Sequence, residues 1–166
     1  MEKNAESRIA TIRKHSEKEA RDKRIANQII NNTIFSLQDK IKALSPRIAD
    51  LIKVANACGE NGICLGEEPS NMEAPRFVTE GINHQLGFFA YMQNPYKGFG
   101  DYRHLHITGF GYKGGGCSGE NFLVNAQGEI YQGWTHTSEK LIRKMKRFLD
   151  EFDNFETEFY DFIDRL

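Results

Sequence analysis

The side chains best suited to chemistry lie in one run, Arg103-His104-Leu105-His106-Ile107-Thr108-Gly109-Phe110-Gly111-Tyr112. Read as a strand, alternation places His104, His106, Thr108, Phe110 and Tyr112 on one face and Leu105 and Ile107 on the other. Two imidazoles at this spacing can hold a metal ion or bracket a phosphate. In a phosphoester-acting enzyme, His104 and His106 would shuttle protons. Thr108 and backbone N–H groups would hold the phosphate oxygens. The competing reading is a half-buried sheet face whose histidines make ordinary hydrogen bonds, and the lack of a complete catalytic set favours it.

Other motifs add little. His106-Ile107-Thr108 resembles one His-x-Thr half of the two-histidine phosphoesterases. That family needs a second such motif, and His136-Thr137-Ser138 supplies a His-x-Ser at a strand-to-helix junction instead. Cys58 and Cys64 have five residues between them, not the two to four of common zinc knuckles. Cys117, in a Gly-rich loop, could be a nucleophile with His104 or His106 as base, but no third, orienting residue is evident. Gly109-Phe110-Gly111-Tyr112-Lys113-Gly114 spells GxGxxG without the helix a dinucleotide fingerprint requires. Lys97-Gly98-Phe99-Gly100 matches the opening of an RNA-recognition consensus, but Asp101 then replaces an aromatic. No metal and no cofactor are expected, and an enzyme is the less favoured reading.

The elements that would position these residues are marked by two apolar ladders. Ile30, Ile34, Leu37, Ile41, Leu44, Ile48, Leu51 and Ala55 form one; Leu141, Met145, Phe148, Phe152, Phe155, Phe159, Phe162 and Leu166 form the other. Both step by four, then three, which predicts two long helices that each need a partner. Ser45 as N-cap and Pro46 at the first helical position predict a kink or a new helix in the first ladder. Gly59 is expected to cap its end, and Ser138 to cap the final helix. Residues 60–75 read as a surface loop. From Arg76 the period is two, with candidate strands at 76–81, 86–92, 104–112, 120–125 and 129–134. Asn83-His84 and Asn125 to Gly128 read as hairpin turns, and Asn94-Pro95 with Gly98 to Asp101 as a longer connection.

The expected fold is therefore α+β in a single domain, 1–166. It comprises a helical segment 1–58, a five-stranded antiparallel meander within 59–137, and an acidic helix 138–166 packed on the sheet, on the N-terminal helices, or both. Residues 1–24 hold few large aliphatics and are expected to be a solvated helix or a frayed arm.

Charge is unevenly spread along the 166 residues, which carry 27% charged side chains and a net charge of −1. Residues 1–58 hold twelve Lys/Arg against seven Asp/Glu, a balance of +5. Residues 148–166 hold Arg165 against seven carboxylates, a balance of −6. A basic front and an acidic tail can face each other or meet charged partners. The basic region suggests nucleic acid bound through residues 1–24. A carboxylate run on a rigid helix suggests a mimic of a phosphate backbone. Glu151, Glu158 and Asp161 are the candidate partner-binding residues. No membrane span or secretory signal is expected, and an odd set of three cysteines suggests a reducing, cytoplasmic setting.

The segment Leu44-Ser45-Pro46-Arg47-Ile48-Ala49-Asp50-Leu51-Ile52, continuing through Ala55-Asn56-Ala57-Cys58-Gly59-Glu60-Asn61-Gly62-Ile63, resembles a stretch of small proteins of bacterial prophages and mobile elements. The resemblance spans about twenty residues and implies context rather than chemistry. Accessory proteins of such elements often bind and inhibit larger host machines. The expectation is thus a non-enzymatic protein-binding module, an inhibitor or regulator of a host nucleic-acid-handling complex, with homodimerisation through a helical seam as a further option. The alternatives are the phosphoester enzyme using His104, His106 and Thr108, and nucleic-acid binding by the basic N-terminal helix.

Overall fold

The computed structural model describes residues 4–65, 76–77, 84–92, 105–114, 122–132 and 137–166. The chain divides into two compact units, residues 1–36 and 37–166. The fold is α+β. Three helices, α1 (Ala5–Ala43), α2 (Ser45–Glu60) and α3 (Ser138–Asp164), accompany β1 (Cys64–Leu65), β2 (Arg76–Phe77), β3 (His84–Met92), β4 (Leu105–Gly114), β5 (Phe122–Asn125) and β6 (Ile130–Gln132).

The first unit is helical from Ala5 onward. Every residue from Asn4 to Ile29 is exposed. Asn4 caps the helix through Oδ1, which accepts a hydrogen bond from the Ser7 N–H at 2.8 Å.

The second unit begins where the first ladder becomes buried. Leu37, Ile41, Ile48, Leu51 and Ala55 are all buried. The break falls at Leu44, whose N–H donates to the Ile41 carbonyl and whose carbonyl accepts from Ile48 N–H. Leu44, not Ser45, therefore holds the N-cap position, with no side-chain cap, and Pro46 lies in the first turn where its missing N–H costs nothing. Its C-terminus also departs from expectation. Gly59 is helical, and Gly62 at φ +77° is the left-handed residue. Ile63 N–H reaches the Cys58 carbonyl at 2.9 Å and Gly62 N–H the Gly59 carbonyl at 3.3 Å. That pair of bonds is a Schellman ending, which a residue with a Cβ would strain.

Four strands form the antiparallel sheet, in the order β3-β4-β5-β6. The fifth expected strand is not part of it. Arg76–Phe77 instead pairs in parallel with Cys64–Leu65. Its place follows from Phe77, whose ring sits 5.4 Å from Phe159 and Phe162 and 5.7 Å from Phe155, so the aromatic stripe of α3 fixes this segment. The Asn125–Gly128 hairpin forms as expected. Asn125 Oδ1 accepts from Gln127 N–H at 3.0 Å and Glu129 N–H at 2.9 Å, and Gly128 takes φ +75°. Residues 78–83, including the expected turn at Asn83, lie outside the described residues, as do 66–75 and 93–104.

The second ladder finds its partner in this sheet. Met145, Phe148, Phe152, Phe155 and Phe159 are each 3% exposed or less. Phe110 of β4 meets Phe148, Phe152 and Phe155, Phe88 of β3 meets Phe155 and Phe159, and Phe122 of β5 meets Phe148. All six of these ring pairs meet tilted or edge-on, the geometries their quadrupoles favour. Thr137, one residue before the expected Ser138, caps α3 through Oγ1, which accepts from Lys140 N–H.

Candidate functional site

The histidine strand does not present the face that alternation predicts. Phe89 pairs with Gly109, but the next residue, Ala90, pairs with Ile107, so Thr108 is the extra residue of a β-bulge. The phase of the strand changes there. Ile107 and Phe110, three apart, are both buried. Thr108 turns to the side of Tyr131, their hydroxyls 3.1 Å apart. Phe110 and Tyr112 face α3 and are removed from the set expected to share a face with His106 and Thr108. His106 is exposed, and no hydrogen bond among the described residues joins it to Thr108. His104, Cys117, His136 and Lys97 to Gly100 lie outside the described residues.

The glycines of the GxGxxG run have a structural role within β4. A Cβ on Gly109 would strike the Tyr131 hydroxyl, and one on Gly111 would strike the Phe122 carbonyl. Gly109 thus lets an aromatic ring lie across the strand beside the bulge. No group of three or more His, Cys, Asp or Glu among the described residues is placed to hold a metal. Cys58 is buried on α2 and Cys64 half-buried in β1, and both are free thiols.

The bulge is held from the other side by a residue that periodicity does not single out. Asn56 of α2 receives the Ile107 N–H at 2.6 Å on Oδ1 and donates from Nδ2 to the Ile107 carbonyl at 3.1 Å. β5 pairs with β4 only from Gly109 onward. One carboxamide therefore supplies the donor and acceptor that a neighbouring strand would have given. A polar side chain following Ala55, on the flank of a buried ladder, was the available signal.

The acidic helix carries the candidate partner-binding residues. Glu151, Glu158 and Asp161 are not equivalent. Glu151 is half-buried, accepts the Tyr112 hydroxyl at 2.7 Å and pairs with Arg147 at 3.2 Å, which ties α3 to the sheet. Burial, then this hydrogen bond, pushes the Tyr112 phenol well above its ordinary range. Glu158 and Asp161 are exposed, Glu158 accepting from Asn154 at 3.3 Å. With Asp150 and Asp164, also exposed, they follow one side of the helix at steps of eight, three and three.

The opposite flank of α3 is clamped. Arg47 in the first turn of α2 grips Glu156 with two nitrogens, at 2.7 and 3.1 Å, reaches Asp153 at 2.6 Å, and lies 4.8 Å over the Phe152 ring. The hydrogen bonds to Glu156, then to Asp153, hold its guanidinium even more firmly protonated than usual. Two of the helix's carboxylates thus share one guanidinium, and the outward stripe is left to solvent. No protein-family model, curated protein or solved structure matches the chain.

Proposed function

We propose that the chain is a non-enzymatic protein-binding module whose acidic α3 face docks on a basic surface. The observation that supports this is the mounting of the stripe. Asp150, Glu158, Asp161 and Asp164 stand on a helix whose other side is pinned by buried Met145, Phe148, Phe152, Phe155 and Phe159. A stripe running from residue 150 to 164 covers about 21 Å at 1.5 Å per residue. Fixed carboxylates lose little freedom on binding, so they favour a surface of matching positive charge, steering encounter and register. A cleft that handles nucleic acid has that character, and an inhibitor of a host nucleic-acid complex is the form of the proposal that fits the stripe best.

The test is charge reversal. Glu158→Lys with Asp161→Lys should abolish capture of the partner while leaving the unfolding midpoint nearly unchanged, because both side chains are exposed. Glu151→Lys should instead weaken folding through Tyr112. Capture that survives the double reversal removes the acidic-helix proposal.

A further inference from the structure

Residues 8–24 hold seven Lys/Arg against three Asp/Glu, intermixed along the sequence. The helix sorts them. At about 100° per residue, Arg13, Lys14, Arg21 and Arg24 fall within an arc of about 100°. Glu19 and Asp22 lie on the far side, where Glu19 meets His15 at 3.3 Å. Gln28, Asn31 and Asn32 return to the arc of the four cations. From Arg13 to Asn32 that arc holds one further residue, Glu17, a turn away from both Arg13 and Arg21. All of these side chains are exposed. Asparagine is a weak helix former, so Asn31 and Asn32 do little for the helix itself. No hydrogen bond among the described residues engages their side chains or that of Gln28.

We infer that this face of α1 lies in the major groove of duplex DNA, with Arg13, Lys14 and Arg21 on phosphates and Arg24, Gln28, Asn31 and Asn32 toward base edges. Three observations select that partner over an acidic protein surface. The first is residue type. Arginine spans guanine O6 and N7, and asparagine or glutamine spans adenine N6 and N7, by two hydrogen bonds each. The second is order along the face. Cations occupy positions 13–24 and neutral amides follow at 28–32, which suits a helix with one part on the backbone and the next among the bases. The third is exposure. A helix about 10–12 Å across fills a groove about 12 Å wide, whose walls enclose it, so it must be free on every side. Every residue from Asn4 to Ile29 meets that condition. The deep, narrow major groove of A-form RNA would not admit it. The face spans about 28 Å, less than the roughly 34 Å of one duplex turn. This inference does not depend on the α3 proposal.

Fluorescence anisotropy of the full chain with a short random-sequence DNA duplex, repeated across salt concentrations, tests it. Four cations predict that log K falls against log salt with a slope of about −3 to −4. Arg13→Gln with Lys14→Gln should weaken binding about tenfold or more at low salt and flatten the slope by about 2. Arg8→Gln with Lys23→Gln removes the same charge from the far side of the helix and should change affinity less than about threefold. From a pool of random duplexes the wild type should enrich a sequence that Gln28→Ala with Asn32→Ala does not, at an unchanged slope. No binding of duplex DNA at low salt, equal losses in the two charge variants, or polyglutamate competing as well as DNA overturns the inference. A pool that emerges without any enriched sequence overturns placement in the groove. Both charge variants keep every α3 carboxylate, so lost DNA binding with α3 capture intact separates this reading from the α3 proposal.

Discussion

Replacing Asn56 with alanine should destabilise the second unit by about 2–3 kcal/mol, working from two hydrogen bonds at about 1 kcal/mol each plus part of the cost of leaving polar groups unpaired. Both bonds go to one residue, Ile107, at the bulge where β5 no longer covers β4. Asn56 is half-buried, so water recovers some of the loss. The figure therefore sits at the low end of the roughly 2–6 kcal/mol that two wholly orphaned groups would imply. Aspartate at the same position keeps the acceptor for Ile107 N–H but sets a carboxylate oxygen against the Ile107 carbonyl, and should be no better than alanine. Urea unfolding followed by circular dichroism provides the assay, with the midpoint expected to fall at unchanged slope. In melting temperature the loss corresponds to about 4–12 °C for a chain of this size. Asn31→Ala, on the exposed part of α1, is the control and should stay within about 0.5 kcal/mol. An Asn56→Ala protein as stable as that control would refute the idea that a side chain stands in for a strand here.

Arg47→Ala should cost about 1–2 kcal/mol, discounted because the arginine side chain is 44% exposed and Asp153 79% exposed. Arg47→Lys should recover less than half of it, because an ammonium cannot form the two-nitrogen grip on Glu156; equal stability of the lysine variant and wild type in urea would count against the clamp. The raised phenol of Tyr112 predicts a pH effect with a definite sign. Its folded form retains the proton that the unfolded form loses near pH 10, so its contribution is full below about pH 10 and fades as pH rises beyond it. Wild type should therefore lose more stability than Tyr112→Phe between pH 9 and pH 11, about one unit either side of that ionisation, and parallel losses would contradict the assignment. Burial pushes the Cys58 thiol up, so peptide mapping after alkylation of the native protein should find Cys64 modified well before Cys58. Equal rates at the two sites would show that α2 opens more readily than its packing implies.

The long periodic features were legible because a repeated burial requirement leaves a repeated trace. The phenylalanine ladder of α3 and the first ladder from Leu37 to Ala55 are buried along those lengths, and the Asn125–Gly128 turn carries its own local chemistry. Features set by a single tertiary contact were not legible. Alternation through Arg103–Tyr112 assumes an unbroken strand, and nothing local to Thr108 announces a bulge stabilised by Asn56 and Tyr131. Phe77 has the pattern of a meander strand, but its ring is claimed by Phe155, Phe159 and Phe162. Helix ends moved by one to three residues for a similar reason. Ser45, Gly59 and Ser138 are plausible caps by residue type, yet the hydrogen bonds assign those positions to Leu44, the turn closing at Gly62, and Thr137. At the acidic helix the sequence shows the charge but not its use. Which carboxylates are free depends on Arg47 and Tyr112, which are distant along the chain.

The clamp between Arg47 and Glu156 joins residues 109 positions apart, and that distance has a consequence during synthesis. At ribosomal speeds of about 5–20 residues per second, the first ladder leaves the tunnel roughly 5–20 s before the helix that completes its surroundings. Early in that interval Leu37, Ile41, Ile48 and Leu51 have neither the sheet nor α3 to lie against, and to its end they lack α3. A nascent chain in this state is a natural client for chaperones that hold apolar helices. Fusing a long, slowly translated segment between residues 60 and 138 should lower soluble yield more than the same segment placed after Leu166.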